Sequence, residues 1–373
     1  MRIAIAPQEF KGTLTAREAA DAMAAGALRA LPNAAIELIP MSDGGPGLVS
    51  ALLSATGGRI IRASVQDPLG RPVVAEWGLL EDGTAVIEMA AAAGLWRLRP
   101  EERDPRVTST YGVGELILVA LNAGCERLII GLGGSATNDG GAGMAAALGV
   151  RFLDGEGYDL HPGGAALARL TRIDASSLDI RLAQCEVTAA ADVTNPLCGP
   201  EGASLVYGPQ KGASAETARA LDLALRHYGS IVERHLGVPV LDAPGAGAAG
   251  GLGTGVIAFL RAQVRPGIEV VAEAVRLRER IQGADLVLTG EGRLDGQTGY
   301  GKTVAGVARL GRACAVPVIV VPGELGDGWE DLLPLVDVIE PMIGGTTTLE
   351  EALTRPSEAL AAAVERAVRG WRK

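Results

Sequence analysis

Apolar and polar positions along the first forty residues fall into a strand, a helix and a second strand. Residues 3–6 form an apolar run, residues 15–31 recur at helical spacing, and residues 36–39 form another short apolar run. Thr15 opens the helix with Glu18 three positions on, the pattern in which each side chain caps the other's backbone. The last hundred residues repeat the alternation: helix 269–281, strand 286–289, helix 302–311, strands 316–321 and 336–339, and helix 356–371. Short strands alternating with helices predict a parallel sheet covered on both faces.

Between these stretches the texture changes. From Val65 to Arg265 there are β-leaning pieces at 73–77, 85–88, 128–130 and 186–190, separated by long Gly-rich loops. The pattern predicts an α/β protein of two domains. Residues 1–64 and 266–373 form a discontinuous, doubly wound outer domain, and residues 65–265 form an inserted α/β domain with Gly-rich loops. A chain of 373 residues agrees, because single cores stop growing at about 250–300 residues.

Composition narrows the function. Hydrophobic residues at 48% and charged residues at 21% exclude extended disorder. No apolar run approaches the roughly 18–20 residues of a membrane span, and in the opening MRIAIAPQEF the residues Pro7 and Glu9 interrupt any signal-peptide core. Four cysteines without a CxxC pair read as reduced thiols, so a cytoplasmic location is expected. A net charge of −10 repels phosphate backbones, so no nucleic-acid partner is expected and an anionic ligand needs a local site. With three histidines and no GxSxG or HExxH, hydrolase and zinc chemistry lack their residues.

Five stretches carry candidate chemistry. LIIGLGGSATNDGGAGMAAAL, residues 128–148, is a strand, a Gly loop and an Ala-rich helix. Backbone N–H groups at such a turn suit a phosphate. Gly133, Gly134, Ser135, Thr137, Asn138, Gly140 and Gly141 are therefore candidate nucleotide contacts, and Asp139 is a candidate Mg2+ ligand. PGAGAAGGLGTG, residues 244–255, is a second Gly-rich element without charge. For both, a tight packing turn is the alternative. LVLTGEGRLDGQTGYGK, residues 286–302, sets Glu291, Arg293, Asp295 and Lys302 beyond the carboxyl end of a strand, where open α/β sheets bind ligands. The same argument places Lys11, after the first strand, and Asp43, after the second, at the sheet edge as a cation and a metal ligand or base. Asp192 follows the β-like run 186–190 and precedes YGPQKGA with Lys211. An Asp there can accept a hydroxyl proton or cap the turn at Asn195-Pro196, and Lys211 can offset phosphoryl charge.

GLGGSATNDGGAGM, ADVTNPLCGPEGAS with YGPQKGA, PGAGAAGGLG and DLVLTGEGRLDGQTGYGK together resemble the class I glycerate kinase family, of the bacterial glycerate 2-kinase type, over nearly the whole chain. The resemblance implies an enzyme that uses ATP and Mg2+ to convert (R)-glycerate to phosphoglycerate, with 2-phosphoglycerate the expected product. It implies a flavodoxin-like outer domain and substrates in a cleft between two α/β domains. On that reading Lys11, Arg293 and Lys302 neutralise the substrate carboxylate and phosphates. Residues 131–143 cradle the nucleotide, Asp192 orients or deprotonates the hydroxyl, and Asp43, Asp139, Glu291 or Asp295 holds Mg2+. Two departures fall at the substrate edge. Gln8-Glu9 stands where the family has Asp-Ser, and Pro46-Gly47-Leu48 where it has Glu-Gly-Thr. A kinase for a related small hydroxy acid and a catalytically silent homologue remain alternatives, as does a homodimer to a monomer.

Overall fold

The computed structural model describes residues 1–10, 12–296, 303–344 and 347–371, so Lys11 and Lys302 lie outside the described residues. The chain folds into two compact units. One comprises Met1–Asp43, Ser50–Gly57 and Pro266–Lys373, the other Gly44–Val49 and Gly58–Arg265.

The first unit holds a five-stranded parallel sheet in the order Val338–Ile339, Val318–Val320, Leu286–Thr289, Arg2–Ile5, Ala35–Leu38. Counted along the chain from the opposite edge this is 2-1-3-4-5, the flavodoxin-type order. The pleat sends Ile3, Ile5, Leu286, Leu288 and Ile319 into one cluster with helices Ala16–Ala30 and Pro356–Trp371. Each fully buried Ile or Leu there contributes about 1.5–3 kcal/mol. The two helices approach closely at Gly26, where a Cβ would lie 2.2 Å from the Ala361 carbonyl oxygen. Val318, next to Ile319 and so on the opposite side of the pleat, meets Gly311 of helix Thr303–Ala313.

Three expected elements fall short of their apolar runs, among them 336–339, which yields only Val338–Ile339. Residues 269–281 form two helices, Gly267–Ala274 and Leu277–Gln282, because Arg276 adopts a left-handed φ of +52° with no Gly or Pro to announce it. The run 316–321 yields only Val318–Val320. The Val316 N–H is committed to the Gly311 carbonyl, and Pro317 has no N–H to give.

The second unit holds a six-stranded mixed sheet in the order Gln263–Arg265, Glu186–Ala190, Arg127–Gly131, Ala85–Glu88, Pro72–Leu80, Gly58–Gln66. The first four run parallel, and the last two are joined antiparallel. Gly58–Gln66 pairs with Pro72–Leu80 at every position, so residues 58–64 belong to this sheet rather than to the outer domain. Largely exposed and studded with Arg59 and Arg62, this edge strand leaves no clean apolar signal. The core under the sheet gathers Trp77, Ile87, Leu116, Ile130, Val187 and Leu252. Phe152, Tyr228 and Phe259 centre a second cluster that includes residues of helices Ala215–Leu236 and Ala248–Leu260.

Candidate active site

In the second unit, strand Arg127–Gly131 runs out into a loop pinned at three points. Leu132 donates to the Ala190 carbonyl, Gly134 accepts from Leu95, and Ala136 donates to the Ala93 carbonyl. Between these ties the N–H groups of Gly133, Gly134 and Ser135 have no acceptor among the described residues. Three successive unpaired amides around a Gly134 with φ of +76° make a concavity suited to an anion. Glycine is required at Gly133, where a Cβ would lie 2.5 Å from the Gly45 Cα. The amino end of helix Leu48–Thr56 nearby is already filled, since Glu88 Oε1 accepts from Gly47 N at 3.0 Å and from Val49 N at 2.9 Å.

Beyond Gly134 the loop turns inward. Ser135 is 7% exposed and Asp139 1%, while Thr137 and Asn138 are fully buried, as are Gly140 and Gly141. The second Gly-rich run packs against the loop there. Its later residues open helix Ala248–Leu260 through a kink at Ala249, Gly250 and Gly251, all at positive φ. A Cβ on Gly250 would lie 1.9 Å from the Thr137 carbonyl oxygen, and Gly140 N donates to the Gly250 carbonyl at 3.1 Å. The two runs of glycine exist so that two backbones can touch.

Asp139, expected to bind metal, is committed to the loop. Its Oδ2 accepts from Thr110 N at 2.8 Å and from Gly143 N at 3.2 Å, and its Oδ1 accepts from Gly141 N at 3.2 Å. Burial pushes its pKa up against these bonds. Lys211 likewise acts from behind the loop. At 1% exposure its Nζ donates to Ser135 Oγ and to the Thr137 carbonyl, both at 2.7 Å. Burial pushes its pKa down to about 7, with the charge of Asp139 working the other way. Asp192 is exposed, two residues past strand Glu186–Ala190, whose last carbonyl holds Leu132. It shares the sheet edge with the open amides.

In the first unit a cavity of about 410 Å³ opens at the carboxyl ends of Arg2–Ile5 and Leu286–Thr289, the point where the strand order reverses. Gln8 N donates to the Gly290 carbonyl at 2.9 Å, Gly323 N to Glu291 O at 2.9 Å, and Glu324 N to Gly292 O at 3.1 Å. These ties hold three loops as one rim. Asp43, Glu291, Arg293 and Asp295 all line the cavity, as do Gln8, Glu9 and Glu324. The Arg293 guanidinium stands 3.8 Å from Asp295 and 3.4 Å from Glu324, looser than a close charge-assisted bond, and its side chain is 60% exposed. Asp43 accepts from Gln8 Nε2 at 2.8 Å.

The expected site residues thus fall into three sets. Asp43, Glu291, Arg293 and Asp295 surround the cavity of the first unit. Gly133, Gly134, Ser135 and Asp192 lie at the sheet edge of the second. Thr137, Asn138, Asp139, Gly140, Gly141 and Lys211 are the buried backing of that edge. Sequence reasoning put Gln8 at the substrate edge without giving it a contact, and it missed Glu324 and Glu88. The position of Gln8 just past a buried strand was the available signal for it, whereas nothing local marks the other two.

The chain matches the model of the glycerate kinase family over residues 3–372. It is 48% identical to a glycerate kinase of Halalkalibacterium halodurans over the whole chain and 99% of that protein. It is 49% identical to the glycerate 2-kinase of Escherichia coli K12 over 88% of the chain and 86% of the relative. A crystal structure of a "putative glycerate kinase 2" from Salmonella typhimurium LT2 superposes with a TM-score of 0.90 at 46% identity, covering 100% of this chain and 98% of that one. A flavodoxin-type unit, an amide-lined sheet edge and a match spanning all but the chain's ends agree: this chain belongs to the glycerate kinase family.

Proposed function

We propose that the protein transfers the γ-phosphoryl group of ATP to glycerate, with (R)-glycerate the acceptor and 2-phosphoglycerate the product. The observation that carries the reading is the row of open amides at Gly133, Gly134 and Ser135, backed by the buried Lys211 cation. Amides fixed in advance need no reorganisation when they take a phosphate, and most of the catalysis of phosphoryl transfer is positioning and charge stabilisation. Ser135 to Gly141 and Lys211 serve by holding those amides in place.

The cavity of the first unit takes the acceptor. Arg293, exposed and loosely paired, receives the carboxylate of the acid. Among the described residues no group of three or more His, Cys, Asp or Glu side chains is set to hold a metal. Mg2+ is usually held by one or two carboxylates, with nucleotide phosphates and water completing six oxygens. Asp43 and Glu291 supply donors of that kind, with Asp295 beside them, and the ion when bound offsets charge between the phosphates. Asp192 takes the proton of the attacking hydroxyl as its oxygen bonds to the γ-phosphorus and the bond to the ADP oxygen breaks. Four free cysteines fit a reducing, cytoplasmic setting.

Release of ADP in the presence of ATP, Mg2+ and (R)-glycerate tests the reading. Wild-type turnover should depend on glycerate, and Asp192→Asn should lower kcat by about 10²–10⁴ without changing the fold. A wild-type enzyme without glycerate-dependent ADP release would sink the proposal, and an undiminished kcat in Asp192→Asn would remove Asp192 from the role of base.

A further inference from the structure

Trp96 lies in the second unit, 67% exposed, in the short turn Leu95–Arg97 that follows helix Met89–Ala93. A lone exposed apolar residue is ordinary, but this ring is held in place. Its Nε1 donates to the Ala90 carbonyl at 3.0 Å, and the Arg97 guanidinium carbon stands over the ring, 4.4 Å from its centroid. Arg97 is itself fixed, with Nε donating to the Ala91 carbonyl at 2.7 Å and Nη2 to the Val74 carbonyl at 3.0 Å. A guanidinium laid on an indole takes one face of the ring. The other face stays open on a side chain whose freedom is already spent, so a ligand that covers it pays little to order it.

The backbone that carries the ring runs beside the open amides. Gly94 and Ser135 form an antiparallel bridge, Leu95 N donates to the Gly134 carbonyl at 2.9 Å, and Ala136 N donates to the Ala93 carbonyl at 2.9 Å. Ala90 spans the gap. A Cβ on Gly134 would lie 3.3 Å from the Ala90 Cβ, while the Ala90 carbonyl holds the indole. A Cβ on Gly94 would lie 2.3 Å from that same carbonyl and 2.7 Å from the indole nitrogen, so the turn closes on the ring only with glycine there.

Amides in a row take an anion, and a fixed, bare π-face takes a flat ring. A ligand that uses both carries phosphates and an aromatic heterocycle, which is the chemistry of a nucleotide. We infer that Trp96 is the base platform of the donor site: the purine of ATP stacks on the open face of the indole while the phosphates lie on Gly133, Gly134 and Ser135. The inference rests on reading those amides as the phosphate site, and it adds the place of the base and the residue that binds it. Every base has a π-face, so the platform supplies affinity without choosing the base.

The test compares wild type, Trp96→Leu and Trp96→Phe, each checked for folding by circular dichroism. In Trp96→Leu the KM for ATP should rise at least about fivefold, while kcat and the KM for glycerate stay within about twofold, because the base binds away from the reacting atoms. Trp96→Phe, which keeps an aromatic face, should recover most of that loss. Inorganic triphosphate, with the phosphates and no base, should compete with ATP equally well in all three proteins. A rise in the KM for ATP below about fivefold in folded Trp96→Leu overturns the inference, as does a Phe variant no better than the Leu variant. Loss of triphosphate competition in step with the loss of ATP also overturns it, since the loop rather than the stack would then have changed. Wild type that binds neither ATP nor triphosphate is a different result, visible before any variant is made, and it removes the functional reading and this inference together.

Discussion

At the scale of single residues, the second unit depends on two ionisable groups placed where water does not reach. Lys211 is held by Ser135 and the Thr137 carbonyl, with a pKa pushed down to about 7. Because its folded pKa lies below the ordinary lysine value of about 10.4, the unfolded chain binds more protons between those limits. Stability should therefore rise as pH goes from about 7 towards 10, by at most about 1.4 kcal/mol per pH unit from this group, and the full penalty of the buried charge applies below 7. Asp139, raised by burial, has the opposite sign and weakens the fold as pH climbs above the ordinary carboxylate range of about 4. Urea unfolding of wild type and Lys211→Met at half-unit steps from pH 6.5 to 9.5 checks this, the pH limits being set about the cited value of roughly 7. The rise should be present in wild type and absent in the variant; a rise that survives the substitution would mean another group titrates. The residues concerned were legible in sequence as a type, small polar and charged groups around glycine. Their roles were not, because burial decides whether a carboxylate meets a metal or a backbone, and the Asp139 carboxylate is taken up by Thr110, 29 positions away in sequence.

At the scale of elements, the two Gly-rich stretches look alike in sequence and do different work. One carries open amides at its first turn; the other is a kinked helix start pressed on the back of the first. Substituting Gly250 by Ala separates them. A Cβ there meets the Thr137 carbonyl at 1.9 Å, on a residue already at φ +72°, so the loop must move. We expect Gly250→Ala to lower stability by about 2–4 kcal/mol and to raise the KM for ATP more than that for glycerate. Thermal melts with paired kinetics measure both, and an unchanged KM for ATP would show that the loop's geometry does not depend on its backing. The five strands of the first unit's main sheet and most of the helices between them were read, because each is an apolar run bounded by polar residues, while helix Leu349–Thr354 and the short strands Arg293–Leu294 and Glu324–Leu325 were not. The break at Arg276 and the edge strand Gly58–Gln66 escaped, since the first keeps helical spacing through a backbone reversal and the second is largely exposed.

For the whole molecule, the account assigns the nucleotide phosphates to one unit and the acid to the other. Hydrogen exchange read by mass spectrometry addresses that division. ATP alone should slow the amides of residues 133–135, which have no internal acceptor, and glycerate alone should slow residues 8–10 and 291–295. Protection of 291–295 by ATP with none at 133–135 would reverse the assignment. The alternation of strand and helix made a parallel sheet and its ligand-bearing edge legible from sequence, because chain direction at a strand's end needs no tertiary knowledge, while the flavodoxin-type order came only with the family resemblance. The cavity's inner wall did not emerge, since Gln8 and Asp43 meet across 35 positions. The most direct test of the central claim is phosphorus NMR of the products formed from ATP, Mg2+ and (R)-glycerate. The account predicts ADP together with the phosphomonoester resonance of 2-phosphoglycerate. A spectrum showing ATP unchanged, or ADP with inorganic phosphate and no new phosphomonoester, would contradict it.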